Sequence, residues 1–189
     1  MSRFGGFSEI DYVDTNATFF EGVDVKGVRL LTDSQQVRNA RSKLEECAYG
    51  SCDFYGAQWP VEMSKKHLVG IVKRQFSVTF HPEGQRMILY ANSDGEILFE
   101  TIKSRQLFKM EDKSALKLIK EDGRIVKDTV LEGVLTSATF DTAGNACESD
   151  PLSTGKLTFF VTDATLCDGV DVTDKTIRER LDFVEVKYR

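Results

Sequence analysis

His81, Glu83, Gly84 and Arg86 stand within six residues of one another, in the run Val78-Thr79-Phe80-His81-Pro82-Glu83-Gly84-Gln85-Arg86-Met87. An arginine offers a planar fork of donors that matches a phosphate. A histidine can in principle attack phosphorus and form a phosphoramidate. Phosphoryl chemistry is therefore what this stretch could do, but each residue also has a plainer reading. Arg86 either binds phosphate or forms a structural ion pair with Glu83 or Glu132; His81 either contacts a ligand or packs as a hydrogen-bonded side chain. Trp59, the sole tryptophan, either stacks on a base, with Phe54 and Tyr55 near enough to supply a second plate, or fills core. The carboxylate pairs Glu45-Glu46, Glu111-Asp112 and Glu121-Asp122 read as solvated surface. No phosphate-binding glycine loop, Gly-x-Ser-x-Gly or nucleophile–base constellation is present. Cys47, Cys52, Cys147, Cys167, His67 and His81 make no zinc spacing and read as reduced thiols and ordinary histidines. These residues assign no catalytic group, no metal ligand and no cofactor.

The same stretch resembles the Lys-x-Asp-Gly-x-Arg motif of eukaryotic mRNA guanylyltransferases, with His81 at the lysine position, Glu83 at the aspartate, and Gly84 and Arg86 kept. Further segments follow in the family's order. Phe19-Phe20-Glu21-Gly22-Val23-Asp24-Val25-Lys26-Gly27-Val28 is similar to the lead-in of animal capping enzymes. Phe54-Tyr55-Gly56-Ala57-Gln58-Trp59-Pro60-Val61-Glu62-Met63 is similar to Phe-Pro-Gly-x-Gln-Pro-Val-x-Met with Trp59 inserted. Thr129-Val130-Leu131-Glu132-Gly133-Val134-Leu135 resembles the Leu-Leu-Asp-Gly-Glu segment. Phe160-Val161-Thr162-Asp163 and Ile177-Arg178-Glu179-Arg180-Leu181 resemble the following strand and helix.

The departures carry the functional reading. The family's covalent step needs a lysine amine, and His81 stands in its place. The resemblance puts an acidic residue near ribose and metal where this chain has Val134, and the family's Asp-Arg pair is not recognisable around Glu100–Arg105. Two later motifs and an OB-fold domain have no expected counterpart before Arg189. The resemblance thus implies a catalytically inactive relative with a relic pocket formed by Trp59, His81, Glu83, Gly84, Arg86 and Glu132.

The chain has 189 residues, 41% of them hydrophobic, enough for one substantial core. No apolar run is long enough for a membrane helix and no secretory leader is visible, so a nuclear or cytoplasmic protein with no membrane association is expected. Net charge is −5 but uneven: residues 1–61 carry −3, 62–127 carry +4 and 128–189 carry −6. Any RNA contact is expected in the basic middle third, while the acidic total argues against a general RNA binder.

Residues 1–18 are expected to be a flexible arm ahead of a single domain over 19–189. A β-like segment runs from Val23 to about Leu31. Asp33 is an N-cap for an amphipathic helix over Ser34–Ala48, with Val37, Ala40, Leu44 and Cys47 on one face. Ser64 caps a second helix that should bury Leu68 and Ile71. From Gln75 the period changes to two, giving strands over 76–81, 85–91, 96–101, 105–110, 124–127, 129–140 and 156–167. Turns fall at Asn92–Gly95, Glu121–Gly123 and Asp168-Gly169, with a loop over Thr142–Gly155. Lys113–Lys120 reads equally as strand or short helix. Asp174 or Thr173 should cap a last helix carrying Ile177, Leu181 and Val184.

This is an α+β pattern, rich in antiparallel strands. The resemblance makes it a two-sheet nucleotidyltransferase-like core with flanking helices and no OB-fold domain. Two functions are expected: a protein-interaction scaffold in an RNA-processing complex, or recognition of an RNA 5′ cap or guanine nucleotide in the relic pocket. A protein partner or homodimer is expected either way. Its seat would be an unfinished sheet edge at 156–167, unless the last helix folds back over that edge.

Overall fold

A computed structural model describes residues 13–20, 25–49, 64–73, 82–111, 125–137, 139–140, 146–147 and 157–187. Seven strands form one antiparallel sheet: β1 (Val28–Leu30), β2 (Gln85–Ala91), β3 (Ile97–Thr101), β4 (Leu107–Met110), β5 (Thr129–Thr136), β8 (Thr158–Cys167) and β9 (Val170–Asp171). Their spatial order is β1-β4-β3-β2-β5-β8-β9. A separate two-stranded ribbon joins β6 (Thr139–Phe140) to β7 (Ala146–Cys147). Three helices complete the described elements: α1 (Ser34–Tyr49), α2 (Lys65–Lys73) and α3 (Ile177–Lys187). The α+β, antiparallel-rich expectation holds.

Alternation along each strand divides the core in two. Leu30, Phe108, Phe99, Leu89, Leu131 and Ala164 are successive cross-strand partners and form one row across the sheet. Phe19 and Phe20 pack on this face. Phe19 meets Phe99 and Phe108 edge-on at centroid distances of 5.2 and 5.4 Å, and Phe159 meets Phe99 at 5.6 Å. The other face carries Leu98, Tyr90, Val130 and Leu166 against Val37, Ala40 and Leu44 of α1. Each large side chain so buried contributes about 1.5–3 kcal/mol. Strand β5 lies centrally and is buried along its whole length, so both of its faces are core.

Asp33 caps α1 as expected: its carboxylate accepts from the Gln36 amide at 2.8 Å. The Asn92–Gly95 turn also forms, with the Asn92 side-chain oxygen accepting from the Asp94 and Glu96 amides at 2.9 Å each. Asp168 and Gly169 both take positive φ, 58° and 77°, the conformation a two-residue hairpin between β8 and β9 requires.

Four expectations are corrected. The strand expected over 129–140 breaks at Ser137, and its second part pairs with Ala146–Cys147, inside the stretch read as loop. No strand forms over 125–127: Ile125 makes an isolated bridge and stays 56% exposed. Helix α2 buries no residue, and Leu68 is 47% exposed. The cap of α3 is Thr176, not Asp174 or Thr173. Its amide and hydroxyl donate to the Glu179 carboxylate at 2.8 and 2.7 Å, while its hydroxyl oxygen accepts from the Glu179 amide. This is a capping box, and losing such a cap costs about 0.5–2 kcal/mol. The expected strand 76–81, the turn 121–123 and the segment 113–120 lie outside the described residues, as do residues 1–12 of the expected N-terminal arm.

Helix α3 folds back onto β8, the sheet's last long strand. Phe183 and Val184 join the first core cluster, and Arg180 grips Asp163 on the strand itself. Beside β8 the sheet ends in the two-residue β9, which pairs with Leu166 and Cys167.

Candidate functional site

Strand pairing sets Leu107, Glu100, Ile88, Glu132 and Asp163 side by side across β4, β3, β2, β5 and β8. Three of these five are carboxylates, and all three are buried: Glu100 is 1% exposed, Glu132 8% and Asp163 9%. Isolated ionised carboxylates are not tolerated at such depth, so each must have a cation.

Arginines from four elements supply them. Arg105 lies 2.7 Å from Glu100, with Arg41 of α1 at 4.0 Å. The β3–β4 hairpin places Arg105 by holding it at φ 57°, and Arg41 donates to the Arg105 carbonyl at 2.6 Å, tying the hairpin to α1. Arg86, at the start of β2, pairs with Glu132 on β5. Arg180 of α3 grips Asp163 with two donors, at 2.7 and 2.8 Å. The fork-to-fork geometry holds the Arg180 guanidinium above its ordinary pKa.

Glu132 is the odd member of this row. Burial pushes its carboxyl above the ordinary glutamate range. The Arg86 hydrogen bond and charge pull it back, and the neighbouring Asp163 charge adds to the rise. A β-bulge between Glu132 and Gly133 shifts the β5–β8 register at this point.

The site residues expected from sequence are distributed as follows. Arg86 and Glu132 come together as an ion pair. Glu83 is exposed, and no pairing with Arg86 is seen. Gly84 sits against the end of β5: a Cβ there would lie 2.2 Å from the Leu135 carbonyl oxygen. Trp59 and His81 lie outside the described residues. Asp163, Arg180, Glu100, Arg105 and Arg41 were not singled out from sequence as site residues. Asp163 and Arg180 stood in quoted segments but far apart in the chain. Around Glu100–Arg105, where the family's Asp-Arg pair is not recognisable, Glu100 and Arg105 form an ion pair.

A divalent cation beside a nucleotide, as the resemblance implies, would need free carboxylate oxygens here. Glu132 and Asp163 are engaged by guanidinium groups, and Val134 offers no donor. Among the described residues no group of three or more His, Cys, Asp or Glu could hold a metal ion. The described residues of this row do not fit a metal.

The chain matches the mRNA capping enzyme catalytic domain over residues 20–188, and it belongs to that family. No curated protein matches the chain. Among the described residues no helix is long and apolar enough to cross a membrane.

Proposed function

We propose that this chain is a non-catalytic member of the capping-enzyme family that serves as a protein-interaction module in an RNA-processing complex. The observation that carries this reading is the pairing of Arg86 with buried Glu132. The arginine kept from the nucleotide-transfer motif is turned onto the protein's own carboxylate. Two features of the sequence support it: His81 stands at the position of the nucleophilic lysine, and Val134 at that of an acidic residue. A phosphoramidate needs a nucleophilic nitrogen, a positioned phosphate and charge compensation on the leaving group together. Incubation with radiolabelled GTP and magnesium or manganese is expected to leave no acid-labile label on the protein. A covalent adduct that disappears in His81→Ala would overturn the proposal.

A second reading, a guanine nucleotide or RNA cap held without chemistry, is favoured by one observation: the Arg86 side chain keeps 22% of its surface exposed. Trp59 would supply the stacking plate. On this reading Trp59→Ala weakens binding of a cap analogue by about 1–3 kcal/mol. Arg86→Lys, which keeps a charge for Glu132 but loses the fork, weakens it by up to about 1.5–3 kcal/mol. Titration followed by tryptophan fluorescence checks wild type and Arg86→Lys, and calorimetry checks Trp59→Ala. No binding by wild type at millimolar ligand leaves the interaction module alone.

A further inference from the structure

Exposed large apolar side chains gather mainly in two places. Helix α2 carries one group: Leu68 is 47%, Val69 57% and Val72 85% exposed. Three lysines, Lys65, Lys66 and Lys73, are exposed on the same helix. The second group lies where β9 leads into α3: Val170 is 48% and Ile177 38% exposed. Its neighbours along the chain include four exposed acids, Asp171, Asp174, Glu179 and Asp182, of which Asp174 lies 4.0 Å from Lys175 and Asp182 4.0 Å from Arg178. These acids outnumber the neighbouring Lys175 and Arg178 by two. Hydrogen bonds from the Thr173 hydroxyl and amide hold Asp171 below the usual carboxylate range, so this residue stays charged at neutral pH.

One patch is apolar with a basic border; the other is apolar with an acidic border. Each has what the other lacks, and both are on the same chain. A nucleic acid would meet the α2 lysines but leave Leu68 and Val72 without an apolar counterpart. An anionic membrane would meet a chain of net charge −5. The acid-rimmed patch of a second copy satisfies both parts of α2. Because each copy carries both patches, two copies related by a two-fold axis make the contact twice and leave neither patch uncovered.

We propose that the chain pairs with a second copy of itself, α2 of each protomer docking on the acid-rimmed Val170–Ile177 patch of the other. This deepens the interaction reading above by naming a partner. The GTP-labelling test there and the mass test here can fail separately.

Charge reversal with mixing is the test. The first variant, Lys66→Glu with Lys73→Glu, makes α2 acidic. The second, Asp174→Lys with Asp182→Lys, makes the other patch basic. Light scattering at micromolar to hundred-micromolar concentration is expected to give wild type twice the 21.3 kDa chain mass, and each variant alone the single mass. Mixing the two variants restores opposite charges at both contacts at once, so the doubled mass is expected to return. It is expected to weaken again at about 1 M salt, where screening reaches to about 3 Å. Return of the dimer on mixing also excludes misfolding as the cause of its loss. A monomeric wild type at all these concentrations overturns the proposal. So does a dimer indifferent to both reversals, or a mixture that stays monomeric.

Discussion

Arg86→Ala is expected to destabilise the fold by about 3–5 kcal/mol at neutral pH, the cost of leaving a buried carboxylate without its cation. Glu132 is 8% exposed and has Asp163 as its cross-strand neighbour, so it cannot recover a counter-charge from water. Against a total stability of about 5–15 kcal/mol this is a large share. The loss should depend on pH, and its sign follows from Glu132. Burial already raises this carboxyl above the ordinary glutamate range, and removing Arg86 takes away what lowers it. The folded state then holds the proton more tightly than the unfolded state. The stability gained from that proton is present in full below the unfolded value and is lost as pH rises through the raised folded value. The penalty of Arg86→Ala should therefore be greatest near pH 7 and shrink as pH falls toward about 4.5. The double variant Arg86→Met/Glu132→Leu removes both charges and should recover most of the loss. Urea unfolding of the three proteins at several pH values measures all of this. A penalty that stays constant with pH would mean that Glu132 is not the group left unpaired.

The charged row also marks the limit of what the sequence reveals. Strands β2 and β3 were legible as β-like runs on either side of an Asn-x-Asp-Gly turn. Helix α1 was legible from its cap and its three- and four-residue spacing. The pairing of Arg86 with Glu132 was named among the alternatives because both stood in recognisable motifs. Its extension to Glu100 and Asp163 was not legible. That extension depends on which residues face each other across three strand pairs, and on a bulge that changes the register between β5 and β8. The cap of α3 was missed although its Thr-x-x-Glu signature is present at Thr176–Glu179. The apolar residues of α2 were expected to be buried from periodicity alone. Periodicity shows that a helix has an apolar face, but does not show what covers it.

Gly84→Ala is expected to cost roughly 1–3 kcal/mol in backbone strain and roughly 1–3 kcal/mol in overpacking, a combined effect as large as breaking the ion pair. The residue sits at φ 153°, outside the range side chains favour. Its would-be Cβ lies 2.2 Å from the Leu135 carbonyl oxygen and 3.0 Å from a Val134 methyl group. The oxygen is backbone on a fully buried central strand and has little room to retreat. Gly70 is the control: in α2 a Cβ meets nothing within 4 Å, so Gly70→Ala should stabilise by about 0.5–1 kcal/mol through helix propensity. Urea midpoints for the two variants give the comparison directly. The contrast bears on function. The resemblance explains a glycine at this position by the close approach of a bound nucleotide. The structure supplies a reason within the chain itself, the approach of β5, which persists whether or not a ligand binds. On the non-catalytic reading proposed above, a motif can keep its glycine without its lysine, because the fold still requires it. If Gly84→Ala is instead neutral for stability while weakening binding of a guanine nucleotide, the requirement belongs to the ligand, and the nucleotide-binding reading gains over the interaction module.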